Sequence, residues 1–193
     1  MTFNKQILQT LKKWLQDAKT ADPTGYNAMS LATCTKDGHP SCRIVLLKDV
    51  DEDGIVFFTN FESRKGDELK QNPAAASTFF WPTLQRQVRI EGSIEKVTDR
   101  ESEAYFKSRP HLSQVASAVS EQSRPIESFE ALEELFANAQ QKHQKEIERP
   151  DHWGGFRIRP HAIEFWEAKD FRLHKRRRYT LNGNNWECTY LQP

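Results

Sequence analysis

Strand-forming runs in this chain follow one another with little but turns between them, and that succession restricts the fold more than any other feature. AMSLATC (28–34), SCRIVLLK (41–48) and IVFFTN (55–60) are rich in β-branched and aromatic residues, and KDGH (36–39) and DVDEDG (49–54) are turn signals between them. The three read as a meander. ASTFFW (76–81) and RQVRIEGSIEKV (86–97) resume the pattern. A last β block runs from WGGFRIRP (153–160) through AIEFWEA (162–168) to RRRYTL (176–181) and NWECTYL (185–191), the final pair joined at Asn182-Gly183. Parallel strands need crossovers of about a dozen residues or more, usually helical, and no such alternation is present. The expected class is α+β: a mostly antiparallel barrel with peripheral helices, not a Rossmann sheet.

Helical periodicity fills the gaps. Residues 3–18 put Ile7, Leu8, Leu11, Trp14 and Leu15 on one stripe, ended by DPTGY (22–26). Ser63 is placed to cap a short helix over 64–71, which Asn72-Pro73 stops. DRESEAYFKSRP (99–110), a short segment after Pro110, and a stripe of Phe129, Leu132, Leu135, Phe136 and Ala139 complete the helices. The expected organisation is one domain over 1–193, with a helix within 1–20 and a C-terminal region over 160–193.

Charge narrows the partners. Lys and Arg total 28 against 27 acidic residues, a formal net charge of +1. Proteins that neutralise many nucleic-acid phosphates carry a large positive excess, so nucleic acid is not the expected partner. Cys34, Cys42 and Cys188 are odd in number and lack CxxC spacing, which suits free thiols in a reducing compartment. MTFNKQILQTLKKWLQ has no apolar core of a leader, and apolar runs such as IVLL and IVFF extend only about four residues, far short of a bilayer. A cytoplasmic protein with no membrane partner and no bound metal is expected.

The positive charge is local. FRLHKRRRY (171–179) holds five Lys or Arg and one His in nine positions. If extended, it places Arg172, His174, Arg176 and Arg178 on one side, where like charges repel unless water or an anion intervenes. Arg64 and Lys65 fall in the first turn of a helix, a place that disfavours cations but welcomes an anion. Arg43 and Lys48 bracket the apolar centre of RIVLLK. Tyr105, Arg109 and Ser113 recur at four-residue spacing and would share a face if one helix ran through Pro110. A phosphate cradle and a solvated surface both satisfy each of these patterns taken singly.

RIVLLK, FFTNFESRK, RQVRIEG, YFKSRP, SEQS, WGGFRI and IEFW followed by RLHKR occur in that order, and together they resemble the pyridoxine/pyridoxamine 5′-phosphate oxidase family over roughly residues 20–193. The resemblance implies an FMN-binding split β-barrel that works as a homodimer with flavin at the subunit interface, residues 160–193 serving dimerisation and substrate. It implies FMN contacts from Arg43, Ile44, Val45, Leu46, Leu47 and Lys48, from Phe58, Thr59, Arg64 and Lys65, and from Gln87, Gln122, Ser123, Trp166 and Arg176. The substrate phosphate is expected on Lys48, Tyr105, Arg109 and Ser113. Arg172, Leu173 and His174 are expected beside the pyridine ring, Arg172 and His174 as the catalytic pair.

The implied reaction oxidises pyridoxamine or pyridoxine 5′-phosphate to pyridoxal 5′-phosphate and reduces dioxygen to hydrogen peroxide. Lys175 stands where the family usually has an acid, Ala168 where it has Gly, and the N-terminal arm of long members is expected to be missing. These departures leave open a related flavin oxidase acting on another planar aromatic, such as a phenazine precursor. A third alternative is a non-catalytic basic protein that binds phosphate or nucleic acid through 172–178.

Overall fold

The computed structural model describes residues 3–144 and 147–193. Helix α1 (Lys5–Ala21) starts at Asn4, whose side-chain oxygen accepts from the Gln6 and Ile7 amides at 2.7 and 3.2 Å. Its apolar stripe is buried along Ile7, Leu11, Trp14, Leu15 and Ala18. Trp14 meets Phe165 edge-on with ring centroids 5.1 Å apart, and Arg86 lies 4.7 Å from the same indole while bonding Asp17 at 2.8 Å. The helix is thereby fastened to the sheet by both packing and charge.

Among the described residues, nine strands form one antiparallel sheet: β1 (Ala28–Cys34), β2 (Pro40–Leu46), β3 (Asp49–Asp51), β4 (Gly54–Asn60), β5 (Ala74–Trp81), β6 (Arg86–Lys96), β7 (Trp153–Glu167), β8 (Lys175–Asn182) and β9 (Asn185–Leu191). The expected antiparallel architecture is present. The expected meander is not. The strand order is β2-β1-β5-β6-β7-β4-β3, with β8 on β7 and β9 on β8. β4 pairs with β3 and β7, not with β2. DVDEDG is more than a turn, because Asp49–Asp51 is itself a strand and the Asp51 carboxylate accepts from the Asp53 and Gly54 amides at 2.8 and 3.1 Å.

That order forces the sheet to curl. β2 and β3 stand at opposite ends of a seven-strand path, yet only Leu47 and Lys48 join them. Seven flat strands would separate the ends by roughly 29 Å, whereas a two-residue link reaches no more than roughly 10 Å. The barrel closes at this seam, where the Lys48 amide donates to the Val56 carbonyl at 2.8 Å and the Leu47 amide to Asn27 at 2.8 Å.

The barrel is split along β7. Its first half pairs with β4 on one edge, and its second half, beyond Pro160, pairs with β8. β6 runs along the other edge throughout, with a register shift between Glu91 and Gly92 that passes over His161, so that Gly92 faces Pro160. A Cβ on Gly92 would come 2.3 Å from the Arg159 carbonyl oxygen, so the bulge admits only glycine without displacement. Phe57, Phe79, Phe165, Ile90, Ile158 and Ile163 fill the interior.

Helices α2 (Arg64–Gln71), α3 (Asp99–Ser108), α4 (His111–Val119) and α5 (Phe129–Lys142) lie outside the sheet. The boundaries of α2 and its Ser63 cap match the sequence reading, the serine accepting from the Gly66 amide. Thr98 and Glu101 form a reciprocal capping box on α3. Arg157 then ties Glu101, at 3.0 Å, to Asp51, while Arg149 holds Asp99 at 2.9 Å. α5 differs from expectation: of its apolar stripe only Ala139 is buried, and Phe129 is 67% exposed.

Leu11 has no exposed surface. Leu11→Ala is expected to cost about 2–5 kcal/mol through lost burial and a cavity, read as a lower urea midpoint. An unchanged midpoint would show that α1 is not part of the cooperative core.

Candidate active site

The seam between β2 and β4 opens into a cavity of about 910 Å³. β2 contributes residues 41–46, Lys48 follows, and Phe58, Thr59 and Asn60 come from β4. Arg64 and Lys65 enter from α2, Tyr105, Arg109, Ser113 and Ser117 from α3, α4 and their junction, and Gln122 and Ser123 from the loop after α4. The volume lies within the range of small-molecule pockets. Its two ends are chemically distinct.

One end is built on α2. The Lys65 side chain is buried, and its Nζ donates to Thr59 Oγ1 at 2.9 Å, Ser63 Oγ at 3.0 Å and Gln122 Oε1 at 2.8 Å. All three acceptors are neutral. Burial, and then the neighbouring Arg43 guanidinium, lower its pKa to about 8. Glu68, one turn further along, is buried too. Burial works against its charge, but hydrogen bonds from Ser41, Thr33, Arg64 and Arg43 prevail and hold the carboxyl at about 2. Arg43 spends both terminal nitrogens on Leu31 O, Thr33, Ser41 and Glu68, so it forms the wall.

The other end is a slab of near-parallel rings. Phe58 stacks on Tyr105 with centroids 4.0 Å apart and on Trp153 at 5.5 Å. The Arg109 guanidinium lies 4.7 Å from the Trp153 ring and donates to Ser117 Oγ at 2.7 Å. Lys48 Nζ lies 5.7 Å from the Tyr105 ring. Burial pushes the Arg109 pKa down. Among the described residues, Lys48, Lys65 and Arg109 have no carboxylate within salt-bridge distance, although most arginines of the chain do. A cation without a carboxylate at each end of a pocket suits it to take an anion at each, with the aromatic slab beside one of them.

The sequence profile described as pyridoxamine 5′-phosphate oxidase matches residues 15–149. The profile described as the pyridoxine 5′-phosphate oxidase C-terminal dimerisation region matches residues 153–193. The chain belongs to the pyridoxamine 5′-phosphate oxidase family. A pyridoxine/pyridoxamine 5′-phosphate oxidase of Nostoc sp. is 52% identical over 184 residues, covering 94% of this chain and 86% of the relative. One from Brucella anthropi is 49% identical over 195 residues, covering 100% and 96%. Among solved structures, PhzG of Burkholderia lata in complex with tetrahydrophenazine-1-carboxylic acid superposes with a TM-score of 0.92 at 34% identity, covering 96% of this chain and 92% of that one. An FMN-binding protein of Nostoc punctiforme, at 17% identity and a TM-score of 0.79, shares the fold.

The cavity gathers most of the positions expected of a family member, but not all. Arg43, Ile44, Val45, Leu46, Lys48, Phe58, Thr59, Arg64, Lys65, Gln122 and Ser123 line it, as do Tyr105, Arg109 and Ser113. The three last do so without sharing a helix, since α3 ends at Ser108 and α4 begins after Pro110. Leu47 is buried in the core instead, turned inward by its amide bond to Asn27.

Gln87, Trp166, Arg172, Leu173, His174 and Arg176 do not line this cavity. Gln87, Trp166 and Arg176 are cross-strand neighbours on β6, β7 and β8, and the His174 ring lies 4.7 Å from Trp166. They occupy the far end of β7 from Trp153, on the order of 40 Å away along extended chain. The condition of an extended 171–179 is met only from Lys175 on, where β8 includes the strand expected at 176–181: Asp170–Arg172 is a 3₁₀ turn, with Phe171 at φ 55° and Arg172 at φ 61°. Arg176 and Arg178 are also not left to solvent or an anion. Glu164 takes Arg176 at 2.7 and 3.0 Å, and Glu91 takes Arg178 at 2.9 Å.

Reading the sequence did not single out Ser117 or Glu68. Each stands four residues after a site residue, Ser113 and Arg64, which is the helical spacing that puts side chains together.

In the ligand-free fold, charging Lys65 is unfavourable relative to the unfolded chain. That cost is fully present below pH about 8 and is relieved as the pH rises toward 10.5. An anion beside the ammonium reverses the preference. Phosphomonoester affinity, measured by calorimetry, is therefore expected to be level between about pH 7 and 8, where the phosphate is already a dianion, and to fall by up to about tenfold per unit above it. Lys65→Met is expected to weaken binding and abolish the pH dependence; an unaltered profile in that variant would remove Lys65 from the anion site.

Proposed function

We propose that the protein is an FMN-dependent oxidase that converts pyridoxamine and pyridoxine 5′-phosphates to pyridoxal 5′-phosphate, with dioxygen reduced to hydrogen peroxide. The carrying observation is the pair of carboxylate-free cation sites, Lys65 at one end of the cavity and Lys48 with Arg109 at the other. Two phosphorylated ring compounds have to meet in such a reaction, and the cavity offers an anion site for each. Relatives of about half identity over most of the chain carry the oxidase name.

FMN fits the residues present. Lys65 is a buried ammonium with only neutral acceptors, and a phosphate would supply the charge it lacks. When bound, FMN would supply the redox chemistry, removal of hydride from the C4′ carbon of the vitamer and transfer of electrons to dioxygen. The chain's own residues bind, orient and dry the site. Arg64 and Lys65 would hold the flavin phosphate, with Gln122 and Ser123 closing over it. Lys48, Arg109, Tyr105 and Ser113 would hold the vitamer phosphate, fixing the ring without touching the reacting carbon. The slab of Phe58, Tyr105 and Trp153 would keep water from that end.

The remaining family positions complete the site only if they arrive from a second chain. Arg172 and His174 would flank the pyridine ring, and Gln87, Trp166 and Arg176 would reach the flavin across a homodimer interface, residues 160–193 being the dimerisation and substrate region. The match to a dimerisation region supports this arrangement.

A second reading, an oxidase of another planar aromatic, draws on the similarity to PhzG in complex with tetrahydrophenazine-1-carboxylic acid. Its 34% identity is lower than the 52% shared with an oxidase of the B6 vitamers. A basic nucleic-acid binder is less well supported, because Arg176 and Arg178 are already neutralised by Glu164 and Glu91.

After reconstitution with FMN, pyridoxamine 5′-phosphate should yield aldehyde and peroxide in equal amounts. Arg109→Ala is expected to raise KM roughly tenfold to a hundredfold, the worth of a charge-assisted bond, with FMN binding unchanged. A KM equal to that of the wild type would contradict the substrate-phosphate assignment, and absence of turnover with either vitamer would contradict the function.

A further inference from the structure

Among the described residues, Glu68 is the one carboxylate paired with the cavity's cations Arg43 and Arg64, and it reaches them from behind. It lies on α2, buried against β1 and β2, and accepts from Thr33, from Ser41 at 2.6 Å, from Arg43 at 3.3 Å and from Arg64 at 2.9 Å. A buried negative charge beside an anion site opposes anion binding unless it orders the cations that do the binding. The atoms used show such an ordering. Glu68 takes Arg64 through Nε. Among the described residues the two terminal nitrogens of Arg64 have no hydrogen-bond partner, and Arg64 lines the cavity beside Lys65. A guanidinium gripped at Nε retains its paired terminal amino groups, the edge that meets a phosphate in bidentate fashion.

Such a grip matters because the Arg64 side chain is exposed, 64% accessible, and would otherwise sample many rotamers. Glu68 itself is immobilised from both sides: Thr33 and Ser41 on adjacent strands, and its own helix. Arg43 completes the grip without competing for the ligand, since both of its terminal nitrogens are already bonded to the wall.

We propose that Glu68 is a positioning residue for the cofactor phosphate, acting through Arg64: it fixes the guanidinium so that its terminal amino groups form a ready-made fork next to Lys65. The inference rests on the FMN reading above and assigns the role to a residue that touches no ligand. It concerns only recognition of the phosphate, so flavin without phosphate is the control. The full-length protein, stripped of flavin, is titrated with FMN and with riboflavin by quenching of flavin fluorescence.

Wild-type protein is expected to prefer FMN strongly. Glu68→Gln, which keeps the size but not the charge, is expected to lose about tenfold or more in FMN affinity while riboflavin affinity stays the same. A merely structural role would weaken both flavins together. Arg64→Lys, at an exposed position that leaves folding intact, keeps the charge but not the Nε-gripped fork and is expected to show the same selective loss. Glu68→Gln in an Arg64→Met background is expected to add little.

Equal losses for FMN and riboflavin in Glu68→Gln, or wild-type FMN affinity in Arg64→Lys, would overturn the inference and leave the functional reading standing. Wild-type protein that binds the two flavins equally would overturn the phosphate assignment itself, and this inference with it.

Discussion

Two residues close this barrel. Because Leu47 and Lys48 alone bridge strands at opposite ends of the sheet order, the sheet must curl until β2 lies beside β4. The cavity lies along the resulting seam. Residues of β2 and β4 far apart in the ladder become neighbours across it, and Lys48, itself half of the link, projects from the closure point toward the aromatic slab. Shape and site have the same cause. The helices finish what closure begins: α2 carries Arg64 and Lys65 to one end, while α3, pinned through Glu101 and Asp99 to Arg157 and Arg149, carries Tyr105 to the other.

Charge is divided along the same line. Away from the seam, cations are met by carboxylates: Arg157 by Asp51 and Glu101, Arg159 by Asp53 and Glu95, Arg176 by Glu164, Arg178 by Glu91. Along the seam, Lys48, Lys65 and Arg109 have rings and neutral oxygens instead. A near-neutral chain therefore presents concentrated positive potential in one place, which suits small phosphorylated compounds better than a polymer. Leaving an ammonium buried without a counter-ion lowers the stability of the protein, and an anion bound there would recover that energy.

What could be read in the sequence was what is decided locally. The Ser63 cap, the α1 stripe and the boundaries of β1 follow from side chains within a few residues of one another. The pairing of β4 with β7 joins residues about a hundred positions apart, and no local pattern carries it; a meander was the natural local reading and the wrong one. Tyr105, Arg109 and Ser113 converge despite the break at Pro110, because the two short helices turn about that residue instead of continuing. The strand expected over 176–181 is present within β8, whereas extended backbone does not reach back to Phe171 and Arg172, whose left-handed conformation is rare for such side chains. Gln122 and Ser123 lie on a loop without periodicity, and only family resemblance pointed to them.

In the proposed enzyme each catalytic site would be assembled from two chains, the cavity of one and the His174 segment of the other. Arg109→Ala damages the cavity and His174→Ala the segment. A dimer with one of each keeps one site in which both parts are intact. Assayed at vitamer concentrations well below KM, an equal mixture of the two impaired proteins, dissociated and reassociated, should therefore reach about a quarter of wild-type kcat/KM, as random pairing of two chains requires. No gain over the unmixed variants, with exchange of subunits verified, would mean that both residues serve the same chain's site and would contradict the shared assembly.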